Sequence, residues 1–142
     1  MRLPQLRNQQ ADRERNLSLA DFVAPLGSGV KDYVGAFAVT AGLGLEELAG
    51  RYRSEGDDYR AIMAKLLADR LTEAFAEALH RYARVTLWGY EREGQWSVGD
   101  LLAEKYQGIR PAFGYPSAPD HSLKADVFAL MDVGTVTGMT MT

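Results

Sequence analysis

The sequence predicts an α+β fold, and three observations carry that reading. From Asp57 to about Trp88 the apolar residues follow the i, i+3, i+4 spacing of an amphipathic helix with no Gly or Pro. The segment Tyr33 to Ala41 is uncharged and rich in β-branched and aromatic residues, as a buried strand would be. The composition, 46% hydrophobic and 25% charged over 142 residues, is that of one globular domain able to bury roughly two-thirds of its unfolded surface.

Taken in order, residues 1–16 hold four Arg against one Asp and one Glu, with Leu3 and Leu6 the main apolar anchors, which predicts a polar lead-in or the end of a preceding helix. The domain proper is expected over residues 17–142. Asp21, Pro25 and the Gly27, Ser28, Gly29 run predict an extended segment that ends in a tight turn, anchored by Phe22 and Val23. In the predicted strand, Gly35, Ala36, Ala38 and Ala41 leave room for a close neighbour. A short helix follows from Leu45 to about Arg53. The long helix then starts at Asp57 and Asp58, whose charge suits a helix N-terminus, and stops at Gly89. Its apolar stripe, including Ile62, Leu66, Leu71, Phe75 and Leu79, is expected to pack on the strand. The opposite face displays Arg60, Lys65, Asp69, Arg70, Glu73, Glu77, Arg81 and Arg84. Ser97 is an N-cap for a short helix between Trp96 and Tyr106, closed by Gly108. Pro111, Pro116 and Pro119 impose an irregular path, and a last helix runs from Ser122 to about Asp132.

Several function classes are excluded by composition. Sixteen basic residues against 19 acidic ones give a net charge of −3, with no basic stripe for a nucleic-acid backbone. The absence of cysteine removes disulfides, thiolate metal sites and cysteine nucleophiles. The longest apolar stretch, Val34 to Leu45, falls short of the ~20 residues that span a bilayer. No secretory signal opens the chain, so a cytoplasmic protein without a membrane role is expected.

Few residues are suited to chemistry. His80 sits on the long helix near Glu77 with no second His or Cys at ligand spacing, and His121 follows Asp120 in the irregular loop, where Asp120 can cap the next helix while His121 packs nearby. No metal site is predicted. Asp69 and Glu73, four apart, could work as paired carboxylates or form part of a solvated charged face. Phosphate-loop, zinc-protease and serine-hydrolase signatures are missing, and no catalytic residue is assigned. The segment RPAFGYP, Arg110 to Pro116, stands apart: a guanidinium fork for a carboxylate, a Pro- and Gly-fixed backbone, and the Tyr115 ring. These groups can hold an amino-acid-like ligand, or form a rigid crossing loop with Arg110 paired to a nearby Asp.

The blocks DFVAP at Asp21, KDYVGAFAVTAG at Lys31, GDDYRAIMAKLLADRLTEAFAEALH at Gly56, LWGY at Leu87, EKYQGIRPAFGYPSAPDH at Glu104 and TGMTMT at Thr137 closely resemble the C-terminal activation domain of cobalamin-dependent methionine synthase. The resemblance runs over residues 17–142 almost without a break. It implies that the strand belongs to part of an antiparallel sheet on which the long helix packs. It implies an S-adenosylmethionine-binding module that supports reductive methylation of cob(II)alamin to methylcobalamin, with the electron from flavodoxin or an equivalent reductase. By the same resemblance Arg110 grips the ligand carboxylate, Ala112 contacts it through its backbone, Gly114 and Tyr115 line the pocket, and Asp69 and Glu73 face the cobalamin-binding module, which holds the cobalamin in place of this chain.

Phe113 and the Ser117, Ala118 pair depart from the family's usual Pro and Ala-Cys. The family's domain also extends beyond both ends of this chain, and its upstream acidic residue and downstream pocket tyrosine have no counterpart here. The resemblance therefore implies a part of a methyltransferase that is inactive when isolated. Two other readings follow from the same residues: a non-catalytic docking fragment for the cobalamin module or flavodoxin, and a fragment whose exposed strand edge makes it associate.

Overall fold

Every regular element of the chain is helical, in a computed structural model that describes residues 1–12 and 14–141. The elements are a 3₁₀ turn at Leu19–Phe22, α1 at Leu45–Ser54, α2 at Asp58–Tyr82 continued by a π-helical turn at Ala83–Leu87, α3 at Val98–Leu102, α4 at Leu123–Leu130 and α5 at Val133–Thr137. The chain divides into two units, Ala38–Ile109 and Met1–Phe37 with Arg110–Thr142.

The predicted sheet is absent among the described residues. Among the described residues the only β pairings are two isolated bridges, Arg7 with Ser18 and Tyr115 with Ala118. Tyr33 to Ala41 forms no strand, and Tyr33 and Val34 are each 73% exposed. A strand exists only by hydrogen bonding to another, and among the described residues no second segment offers a ladder; at the end of the segment, the Ala41 amide donates instead to Thr72 Oγ1 of α2 at 3.1 Å. High β propensity is a preference for a pleated, half-covered surface and does not create one.

Within the unit Ala38–Ile109, α1 and α2 form a helical hairpin. α1 ends in a Schellman motif: Gly56, at φ +76°, donates its amide to Arg53 O at 3.0 Å, and Asp57 donates to Tyr52 O at 2.8 Å. Asp57 then caps α2, accepting from the Arg60 amide at 2.9 Å, so one short turn closes one helix and opens the next. Small residues carry the buried face, with Ala49 of α1 and Ala61 and Ala68 of α2 inside. The larger apolar stripe expected to meet a sheet is half exposed, with Ile62 at 59% and Phe75 at 49%. The helical path runs to Leu87 as expected, but its last turn widens: the Trp88 amide donates to Ala83 O, five residues back, at 2.8 Å. Gly89, at φ +69°, reverses the chain so that the Tyr90 and Glu91 amides both reach Arg84 O. α3 is shorter than the Trp96 to Tyr106 expectation and carries a capping box between Ser97 and Asp100.

In the other unit, the segment expected to be extended around Asp21 folds as the 3₁₀ turn, capped by Ser18 and Asp21 in a reciprocal box. Arg7 donates two hydrogen bonds to the Asp21 carboxylate, at 2.5 and 2.7 Å. α4 matches the expected last helix, and α5 adds a turn beyond Asp132, which sits at φ +50° between them. Among the described residues no helix is long and apolar enough to cross a membrane.

Candidate functional site

The Arg110 to Pro116 segment is a tight, hydrogen-bonded turn. Gly114 donates its amide to Ala118 O at 2.7 Å, Ala118 donates back to Tyr115 O at 2.9 Å, and Tyr115 donates to Ala112 O at 3.4 Å. Gly114 takes φ +94°, a conformation that costs an L side chain about 1–2 kcal/mol, so the turn depends on glycine there. Ala118 is buried beneath the turn while Tyr115 is 64% exposed. The rigid part therefore faces inward and the ring is available to a ligand.

The turn that leads into α4 adjoins this loop. Asp120 Oδ1 accepts from the Ser122 hydroxyl at 2.6 Å and the Ser122 amide at 2.9 Å, and those two donors hold its carboxyl below the usual range. His121, one residue on, packs its imidazole against Gly114. Arg110, Ala112, Gly114 and Tyr115 thus share one loop in the unit that contains α4. Asp69 and Glu73 lie on α2 in the other unit, both exposed, with Glu73 accepting from Arg70 at 2.8 Å. That pairing is what a solvated helix face does by default.

A second cluster was not legible as such. Arg84, placed by periodicity on the solvent face, is 1% exposed and lies inside the unit Ala38–Ile109. Its Nε donates to Glu91 Oε2 at 2.7 Å, its guanidinium stands 3.8 Å from the Tyr106 ring centroid, and its Nη1 lies 2.7 Å from His80 Nδ1. A guanidinium has only donors, so His80 Nδ1 accepts and the ring carries its proton on Nε2. His80 is buried, and its ring meets Tyr106 edge-on at 5.2 Å. The signal in the sequence is Glu77, His80 and Arg84 at i, i+3, i+7 on one face. What hides the cluster is that Glu91 and Tyr106, the groups that cover Arg84, come from the segment that folds back after Gly89 and share no helical period with it. Burial also pushes the neighbouring Tyr90 phenol up, and that hydroxyl donates to Gln107 O at 3.1 Å.

The same unit holds an open apolar groove of about 440 Å³ between Leu45, Leu48, Met63, Leu67 and Leu71. Among the described residues no group of three His, Asp or Glu is arranged to hold a metal ion.

A guanidinium, a proline-fixed turn rich in backbone donors and acceptors, and an open phenol ring define a loop that can hold a small zwitterionic molecule. The chain belongs to the family described as "Vitamin B12 dependent methionine synthase, activation domain", whose model matches residues 1–142. Among solved structures it is similar to one described as the MetH reactivation domain bound to AdoHcy, with 50% sequence identity and a TM-score of 0.91. That likeness covers 97% of this chain and 43% of the solved one, so this chain spans less than half of that protein.

Proposed function

We propose that this chain is an S-adenosylmethionine-binding reactivation module of cobalamin-dependent methionine synthase, and that it serves the reductive methylation of cob(II)alamin to methylcobalamin. The observation that carries this reading is the family match across residues 1–142. The AdoHcy bound to the similar solved domain supports the ligand class, since AdoHcy is what S-adenosylmethionine becomes when its methyl group leaves. The methyl group comes from S-adenosylmethionine and the electron from flavodoxin or an equivalent reductase, while the cobalamin belongs to a partner module.

The residues of the Arg110 loop fit such a ligand. A guanidinium such as that of Arg110 grips a carboxylate through two parallel N–H donors, a charge-assisted pairing that contributes about 1.5–3 kcal/mol. The Ala112 carbonyl and the Gly114 backbone fix the approach to the turn, and Tyr115 presents its ring where a positively charged sulfur would be attracted. Asp69 and Glu73, exposed on α2, are proposed to face the cobalamin module. Residues 17–142 form part of the activation domain in this reading, with a cytoplasmic setting.

Calorimetric titration of the chain with S-adenosylmethionine, beside Arg110→Ala, tests it. Weak but saturable heat from the parent, reduced at least tenfold in affinity by the substitution, is expected, because the chain carries part of the family's pocket. Equal binding by both proteins removes Arg110 from the site. Salt-sensitive binding to a cobalamin module that survives Arg110→Ala, with no ligand heat from a folded parent, would favour a docking fragment.

A further inference from the structure

We infer that His121 is a positioning residue for the ligand loop: its imidazole closes on Gly114 and locks the glycine joint of the turn that presents Arg110, Ala112 and Tyr115. This role rests on the S-adenosylmethionine reading of that loop.

Three prolines, Pro111, Pro116 and Pro119, set φ at their own positions and leave little freedom around them. Gly114 lies between Pro111 and Pro116 at φ +94°, a backbone angle that glycine adopts at low cost and that its own covalent structure does not fix. A Cβ built on Gly114 would coincide with the His121 ring, its Cε1, Nδ1 and Nε2 all falling inside any possible contact distance. The ring therefore occupies the space a side chain would take. Glycine at 114 serves two ends at once: it permits the backbone angle, and it lets the imidazole reach the main chain. His121 is itself held from behind, because its carbonyl accepts from the Lys124 amide at 3.1 Å at the start of α4 and the Asp120 carboxylate accepts from the Ser122 amide on its other side. α4 is thus coupled through one ring to the Gly114 amide, which donates to Ala118 O.

Amide exchange and ligand titration on the 142-residue chain test this together, using His121→Ala, which removes the ring, and His121→Phe, which keeps a planar ring without an ionisable proton. His121→Ala is expected to speed exchange of the Gly114 and Ala118 amides and to weaken S-adenosylmethionine binding about tenfold, the scale of freeing one backbone joint. His121→Phe restores both, and the thermal midpoint stays near the parent's in each. Unchanged exchange in His121→Ala overturns the proposal, as does faster exchange with unchanged affinity. A parent that binds no ligand overturns the site reading and this role with it; that failure is told apart by the exchange data, which need no ligand.

Discussion

Arg84 shows how much one buried side chain can organise. Its guanidinium meets Glu91, His80 and the face of Tyr106, all drawn from the last turns of α2 and the segment that folds back on them. Removing one member of a buried ion pair leaves the other charge without its partner, and costs about 3–5 kcal/mol. Arg84→Met should lower stability by that amount in urea unfolding. The double variant Arg84→Met with Glu91→Gln should recover part of it, since no lone charge remains. Asp21 offers a milder test. Arg7 donates to its carboxylate, the Ser18 amide donates as well, and these hold its pKa at about 2. A carboxyl that titrates lower folded than unfolded stabilises fully above about pH 4 and loses that contribution as pH falls toward the folded value. The Asp21 carboxyl carbon, followed by NMR, should titrate near pH 2 in the parent and move upward in Arg7→Gln.

At the scale of elements, helix ends were well specified. Asp57, Gly56, Ser97 and Gly89 each sit where local chemistry asks for them, because a cap is a bargain between neighbours within four residues. Gly56→Ala should cost about 1–2 kcal/mol, the penalty for an L residue in left-handed backbone, and should leave the helical circular dichroism of the folded chain unchanged. Nothing lies within 4 Å of a Cβ at that position, so strain is the whole effect. The predicted strand does not form, for the opposite reason. Tyr33 to Ala41 has the residues a strand favours, yet its hydrogen bonds must come from a distant segment that local sequence does not describe.

For the molecule as a whole, apolar surface on α2 is the main consequence. Leu67, Leu71 and Phe75, each four residues apart on one face of α2, are 49–60% exposed. Contiguous exposure of this kind marks a surface that binds something or makes a chain associate. The isolated chain should therefore enhance the fluorescence of an apolar dye such as ANS, and Leu67→Lys with Leu71→Lys should reduce the signal while leaving α2 intact. An unchanged signal would mean that the stripe is covered in solution.

By itself the sequence determined that α1, the long helix and α4 form and where the long helix starts and stops, that the Arg110 loop is irregular and built around proline and glycine, and through its resemblance which family the chain belongs to. Those features rest on backbone preferences and residue order. Only the tertiary structure decided that Arg84 is buried, that the Tyr33 segment has no sheet to join, and that His121 rests on Gly114. Each of these depends on what a residue meets after the chain has folded back: Glu91 and Tyr106 close over Arg84, one missing partner leaves a strand unformed, and one absent Cβ admits a ring.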